Sequence, residues 1–103
     1  MAYFYIWETV TFPIHLSDAG ALNDVNQIIV SLKQKDVQVD IVDPEYDASE
    51  SMIYLRLEQE DTSKFRKGNV ILQINIYYND TERDTTKQVT IEALDNLYKK
   101  VMP

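Results

Sequence analysis

A chain of 103 residues with 45% apolar side chains is long enough for one core, and that content is too high for wholesale disorder. The formal charge of -7, with no Lys or Arg in the first 32 residues, argues against binding along phosphate backbones, which needs a basic face. Cysteine is absent, which excludes disulfides, thiolate nucleophiles and cysteine-ligated zinc, and no apolar run approaches the roughly 20 residues of a membrane-spanning helix.

The N-terminus alternates. Phe4, Ile6, Val10, Phe12, Ile14 and Leu16 share one parity, interrupted by Glu8, while Tyr3, Tyr5, Trp7, Thr9, Thr11 and His15 share the other. A two-residue period predicts one strand or two consecutive strands, with the first set inward. Pro13 has no N–H to donate, so its strand belongs at a sheet edge or carries a bulge. Residues 1–8 read as an aromatic strand or arm of a single domain spanning 1–103. They lack a basic flank and are too short for a signal peptide, so the expectation is a protein made and kept in the cytoplasm or released by lysis.

Ser17-Asp18-Ala19-Gly20 turns the chain. Over residues 18–35 two periods compete. Val25, Ile28, Ile29 and Leu32 fit a helical face capped by Ser17 or Asn23, whereas Ile28, Val30 and Leu32 fit a strand. The β-branched run Ile28-Ile29-Val30, followed by alternating Val37, Val39 and Ile41, favours a strand over Gln27–Gln34 and a hairpin around Lys35-Asp36. Residues 43–50 read as an acidic loop containing Pro44. Ile53, Leu55 and Leu57 mark the next strand. The stretch 57–73 then reads as a strand end, a polar connection held by Phe65, a turn at Gly68 and the start of a long strand.

Val70, Leu72, Ile74, Ile76 and Tyr78 alternate without a break. After a polar turn over 79–84, residues 85–92 return as a strand with Val89 and Ile91 inward. Leu94, Leu97, Tyr98 and Val101 predict one or two closing helical turns. Short strands at a spacing of roughly 10 residues predict an all-β fold, an immunoglobulin-like antiparallel β-sandwich with a short C-terminal helical turn, without the Cys and Trp hallmarks of antibody domains.

Spaced polar residues carry a resemblance. They are the strand Ile29-Val30-Ser31-Leu32-Lys33-Gln34, the stretch Leu57-x-Gln59-Glu60-x-Thr62-x-x-Phe65-x-x-Gly68, Gln73, the acidic turn Asn79-Asp80, and a last strand with a Leu-containing tail. Over residues 9–101 this pattern resembles small proteins of tailed phages and prophages of Gram-positive bacteria, similar in layout to the N-terminal sandwich domain of upper baseplate proteins. The resemblance implies a virion structural or accessory protein of baseplate, tail or head, without catalytic activity or cofactor. It would be made in the host cytoplasm, reside in the virion, and contact other virion proteins and copies of itself rather than nucleic acid or membrane. It also implies scaffold roles: Phe65 closing the end of the core, Gly68 at positive φ, and Gln59 and Gln73 bonding backbone. Glu58 and Asp61 stand where relatives form a Thr-based capping box, and two carboxylates are not expected to form one. Lys35 and Thr81 stand where relatives often have turn glycines.

His15, Ser17 and Asp18 contain the atoms of a hydrolase triad, but neighbours in one strand and its turn cannot aim at one point, so no catalytic residue is assigned. Asp43, Glu45, Asp47 and Glu50 offer oxygen ligands suited to calcium, yet lack the Gly and Glu positions of an EF-hand. A solvated loop is the plainer account and no metal is expected. Asn79-Asp80-Thr81 is a formal glycosylation sequon that reads as an exposed turn. Tyr3, Tyr5 and Trp7 are the interface candidates, three large aromatics on the face opposite Phe4 and Ile6. A cover formed by Leu94, Leu97 and Tyr98 would bury them instead. The same rings suit a carbohydrate-binding adhesion module for host wall glycans, and the acidity suits an inhibitor that mimics nucleic acid.

Overall fold

The ambiguous segment resolves as a strand because it lies between two others. In the computed structural model, which describes residues 2–17, 20–78, 82–86 and 88–97, β3 (Gln27–Gln34) pairs with a strand on each side and buries Ile28, Val30 and Leu32. Residues 20–26 before it form a loop, and Leu22 plugs the core from there. The other elements are β1 (Tyr3–Tyr5), β2 (Val10–His15), β4 (Val37–Val42), β5 (Glu45–Asp47), β6 (Met52–Leu57), α1 (Gln59–Thr62), β7 (Gly68–Tyr77), β8 (Arg83–Thr85) and β9 (Val89–Leu94).

The fold is all-β, in two sheets. The larger has the order β1-β9-β7-β3-β4, with β8 also on β7, and the smaller is β2-β6-β5. Every pairing is antiparallel except β1 with β9. Ile53, Leu55 and Leu57 of β6 share one core with Ile28, Val30 and Leu32 of β3 and Val70, Leu72, Ile74 and Ile76 of β7. Each fully buried aliphatic side chain of this kind contributes about 1.5–3 kcal/mol relative to exposure. Phe65 is buried at the α1 end and meets Phe4 edge-on, centroids 5.8 Å apart, while Gly68 takes φ 138°. Pro13 lies on β2, an edge strand.

The N-terminal alternation spans two sheets. At Trp7 the chain takes φ 74° and passes from β1 to β2. Since β1 bonds β9 through the Ala2 carbonyl and the Ile6 N–H, the N–H and C=O of Tyr5 face the sheet edge. Glu8 takes both: its Oε1 accepts from the Tyr5 N–H at 2.7 Å and its own N–H donates to the Tyr5 carbonyl at 3.2 Å. That closes part of an edge that would otherwise be open to strand addition.

Four expectations need correction. Residues 43–50 are not all loop, because Glu45–Asp47 pairs with β6 as β5. Ala93 and Leu94 continue β9 instead of starting a helix, since both sit in the sheet beside β1, and 95–97 are not helical; Tyr98 and Val101 lie outside the described residues. The return strand over 85–92 is broken. From 85 to 89 it advances four positions while its partners on β7 go from 75 to 72, three positions, which is a β-bulge. Thr86 bridges the bulge: its N–H donates to the Ile74 carbonyl, its Oγ1 accepts from the Ile74 N–H at 3.0 Å, and its carbonyl accepts from Gln73 Nε2 at 3.0 Å. Finally, Glu58 and Asp61 do form a capping box, with Asp61 Oδ2 accepting from the Glu58 N–H at 3.0 Å. The box requires only acceptors, and Arg56 Nε, 2.7 Å from Glu58 Oε1, offsets the second negative charge.

Candidate interaction surface

The larger sheet covers the core with one face and presents the other to solvent. Across it run rows fixed by the strand pairing. Val42, Ile29, Asn75 and Thr85 form one row, Asp40, Ser31 and Gln73 the next, and Gln38, Lys33, Ile71 and Thr90 a third. Tyr3 and Tyr5 stand on the same face at the β1 edge, beside Glu92 and Leu94.

Several of its polar groups are tied down by hydrogen bonds. Asp40 Oδ1 accepts from Ser31 Oγ at 2.6 Å and from Gln38 Nε2 at 3.0 Å, and these bonds hold its carboxyl below the ordinary carboxylate range. Thr85 Oγ1 donates to Asn75 Oδ1 at 2.7 Å. The same face keeps apolar groups in the open: Tyr3 is 54% exposed, Val42 53%, Tyr5 42% and Ile71 41%. These are half of the large exposed apolar side chains among the described residues, and all stand on one face, Tyr3 and Tyr5 at its β1 edge, Ile71 on β7 and Val42 at its β4 edge. Fixed polar groups around exposed apolar ones give a surface suited to contact with a second surface.

Trp7 does not extend the stripe of Tyr3 and Tyr5. The positive φ turns it out of the sheet, and its half-buried ring packs against the core. Glu8, breaking the apolar parity, was the one sign of this crossing. The rings of Tyr3 and Tyr5 lie 5.9 Å apart at 87°, so together they offer no single plane on which a sugar could stack.

The calcium candidates are not brought together. Asp43, at φ 52°, pins the chain to β3: its Oδ1 accepts from the Ile28 N–H at 3.1 Å and its N–H donates to the Ile28 carbonyl. Asp47 Oδ1 accepts from the Ser49 Oγ and N–H at 2.7 and 3.0 Å, which lowers the Asp47 pKa. Glu45 stands opposite Tyr54 on β6, and Glu50 is exposed in the following turn. Among the described residues no group of three or more His, Asp or Glu is placed to hold a metal.

His15, opposite Met52, and Ser17 stand at the rim of an open groove of about 440 Å³ between the end of β2 and strands β7 and β9. Ile14, Leu16, Leu72, Ile74 and Val89 line the rest with Thr86, so its chemistry is mostly apolar, and Asp18 lies outside the described residues. The shape follows from strand number: the three-stranded sheet stops at β2 and leaves Val89, on the inner face of β9, 53% exposed. No protein-family model matches this chain, and no curated protein matches it significantly.

Proposed function

We propose that this chain is a non-enzymatic structural or accessory protein of a tailed-phage virion, acting through protein contacts made by the outer face of its larger sheet. The observation that carries the contact reading is that face, with Tyr3, Tyr5, Val42 and Ile71 exposed among fixed polar groups. The virion assignment rests on the sequence resemblance, whose spaced residues occupy scaffold positions: Phe65 in the core, Gly68 at positive φ, and Gln73 on the carbonyl of the bulge.

The strand order supports an immunoglobulin-like sandwich of variable type. One sheet then holds the first strand parallel to the last, beside a central pair and an added edge strand, and the other sheet holds β2, β6 and β5. Such a frame displays faces and loops for recognition rather than enclosing a reaction.

Mass spectrometry of density-purified phage particles tests the assignment. The chain is expected in the particles at a fixed ratio to known virion proteins. Its presence in the lysate but not in particles would contradict the proposal, and wall-glycan binding by that free chain would point to an adhesion module instead.

A further inference from the structure

Between the β3–β4 turn and the loop from α1 to β7 lies a groove whose charged lining is entirely basic, while Asp36 stands on the other side of the turn, beside Lys35 and Arg66. Lys33, Lys35, Arg66 and Lys67 line this open groove of about 420 Å³, together with Gln34 and Ile71. These are four of the ten Lys and Arg in the chain, which leaves six against 17 Asp and Glu, a balance of -11, for everything else. Gln34 fixes the groove. Its Oε1 accepts from the Arg66 N–H and its Nε2 donates to the Arg66 carbonyl, both at 2.7 Å, strapping the loop to β3. Among the described residues none of the four cations forms an ion pair; the one pair there is Arg56 with Glu58. Four like charges around one groove repel each other, and an anionic partner relieves that repulsion.

Five of the 17 acids stand at the opposite end, the length of β7 away, about 30 Å for ten strand residues. Asp24, Asp47, Glu50, Glu82 and Asp84 surround the loop over residues 20–26. The Gly20 N–H donates to Ser51 Oγ, joining the Asp47–Glu50 turn to that loop. Tyr78 OH donates to the Ala21 carbonyl and the Tyr78 N–H to the Glu82 carbonyl, joining the other side. Arg83 is the cation there among the described residues, and its guanidinium lies 5.7 Å from the Tyr77 ring.

We propose that copies of this chain associate head to tail, the basic groove of one receiving the acidic end of the next. Such a contact joins two different patches, so it builds a ring or a filament rather than a two-fold dimer. A nucleic-acid strand is the poorer occupant, because beyond the groove it would run along a surface with a balance of -11. The inference names one partner for the contact protein proposed above. It is tested on purified chain alone, so its failure leaves the particle experiment standing.

Sedimentation of the purified chain across a concentration series, at about 0.02 M and about 0.5 M salt, reads the association. Self-association is expected at low salt and should weaken roughly tenfold or more at high salt. A Lys33→Glu, Lys35→Glu, Lys67→Glu variant and a Glu50→Lys, Glu82→Lys, Asp84→Lys variant should each be monomeric alone and associate when mixed. A wild-type chain that stays monomeric at low salt overturns the proposal, as does association indifferent to salt and to charge reversal. Binding of a single-stranded oligonucleotide by a chain that remains monomeric also overturns it, in favour of a polyanion.

Discussion

Lys35 occupies a turn position at φ 52°, where an ordinary L residue loses about 1–2 kcal/mol to the clash between its Cβ and the backbone. Glycine avoids that clash but has more backbone freedom to lose on folding, roughly 0.5–1 kcal/mol. Lys35→Gly should therefore stabilise the fold by about 0.5–1 kcal/mol, seen as a higher urea midpoint with an unchanged slope. An equal or lower midpoint would contradict the strain. The turn itself was legible, because alternation stops at Gln34 and resumes at Val37. The roles of Asp43 and Asp47 were not. A carboxylate in a loop reads as a ligand or as solvated until the fold shows which N–H lies beside it, and both aspartates serve nearby backbone instead.

At the scale of elements, legibility followed how far each strand's burial depended on its neighbours. β7 buries one face along its whole length, so its period was plain. β3 carried two compatible periods, and pairing on both sides settled it. β1 and β2 keep one parity while entering different sheets, so apart from Glu8, which interrupts the apolar set, the crossing left no mark in the period. The bulge between β8 and β9 was hidden for a similar reason, as its extra residue is recognised only against β7. Thr86 holds it. Thr86→Val removes the acceptor for the half-buried Ile74 N–H and should cost about 1–3 kcal/mol in chemical unfolding, while Thr86→Ser stays near wild type. A valine variant as stable as wild type would show that the hydroxyl is dispensable.

The whole molecule is asymmetric in how it treats its surfaces. Between the sheets the core is plugged by Leu22 and by the Phe4–Phe65 pair, and is left open beside Val89, where the smaller sheet stops at β2. At the β1 edge Glu8 occupies the outward groups of Tyr5. The outer face of the larger sheet keeps apolar side chains in the open. Composition and period gave the all-β class, since they depend on each strand alone. They could not assemble that face: beyond the legible β3–β4 hairpin, the pairing that puts Ile29 beside Asn75, and Ile71 beside both Lys33 and Thr90, joins segments distant in sequence.

Occupancy of purified particles by chains altered on one face at a time tests the contact face most directly. A Tyr5→Ser, Ile71→Ser variant with wild-type circular dichroism and melting should be lost from particles by roughly tenfold or more, the effect of removing about 1.4 kcal/mol of contact energy. Tyr54→Ser, on the outer face of the smaller sheet, should be incorporated like wild type. Equal occupancy by both variants would contradict the assignment of the larger sheet's outer face as the contact surface.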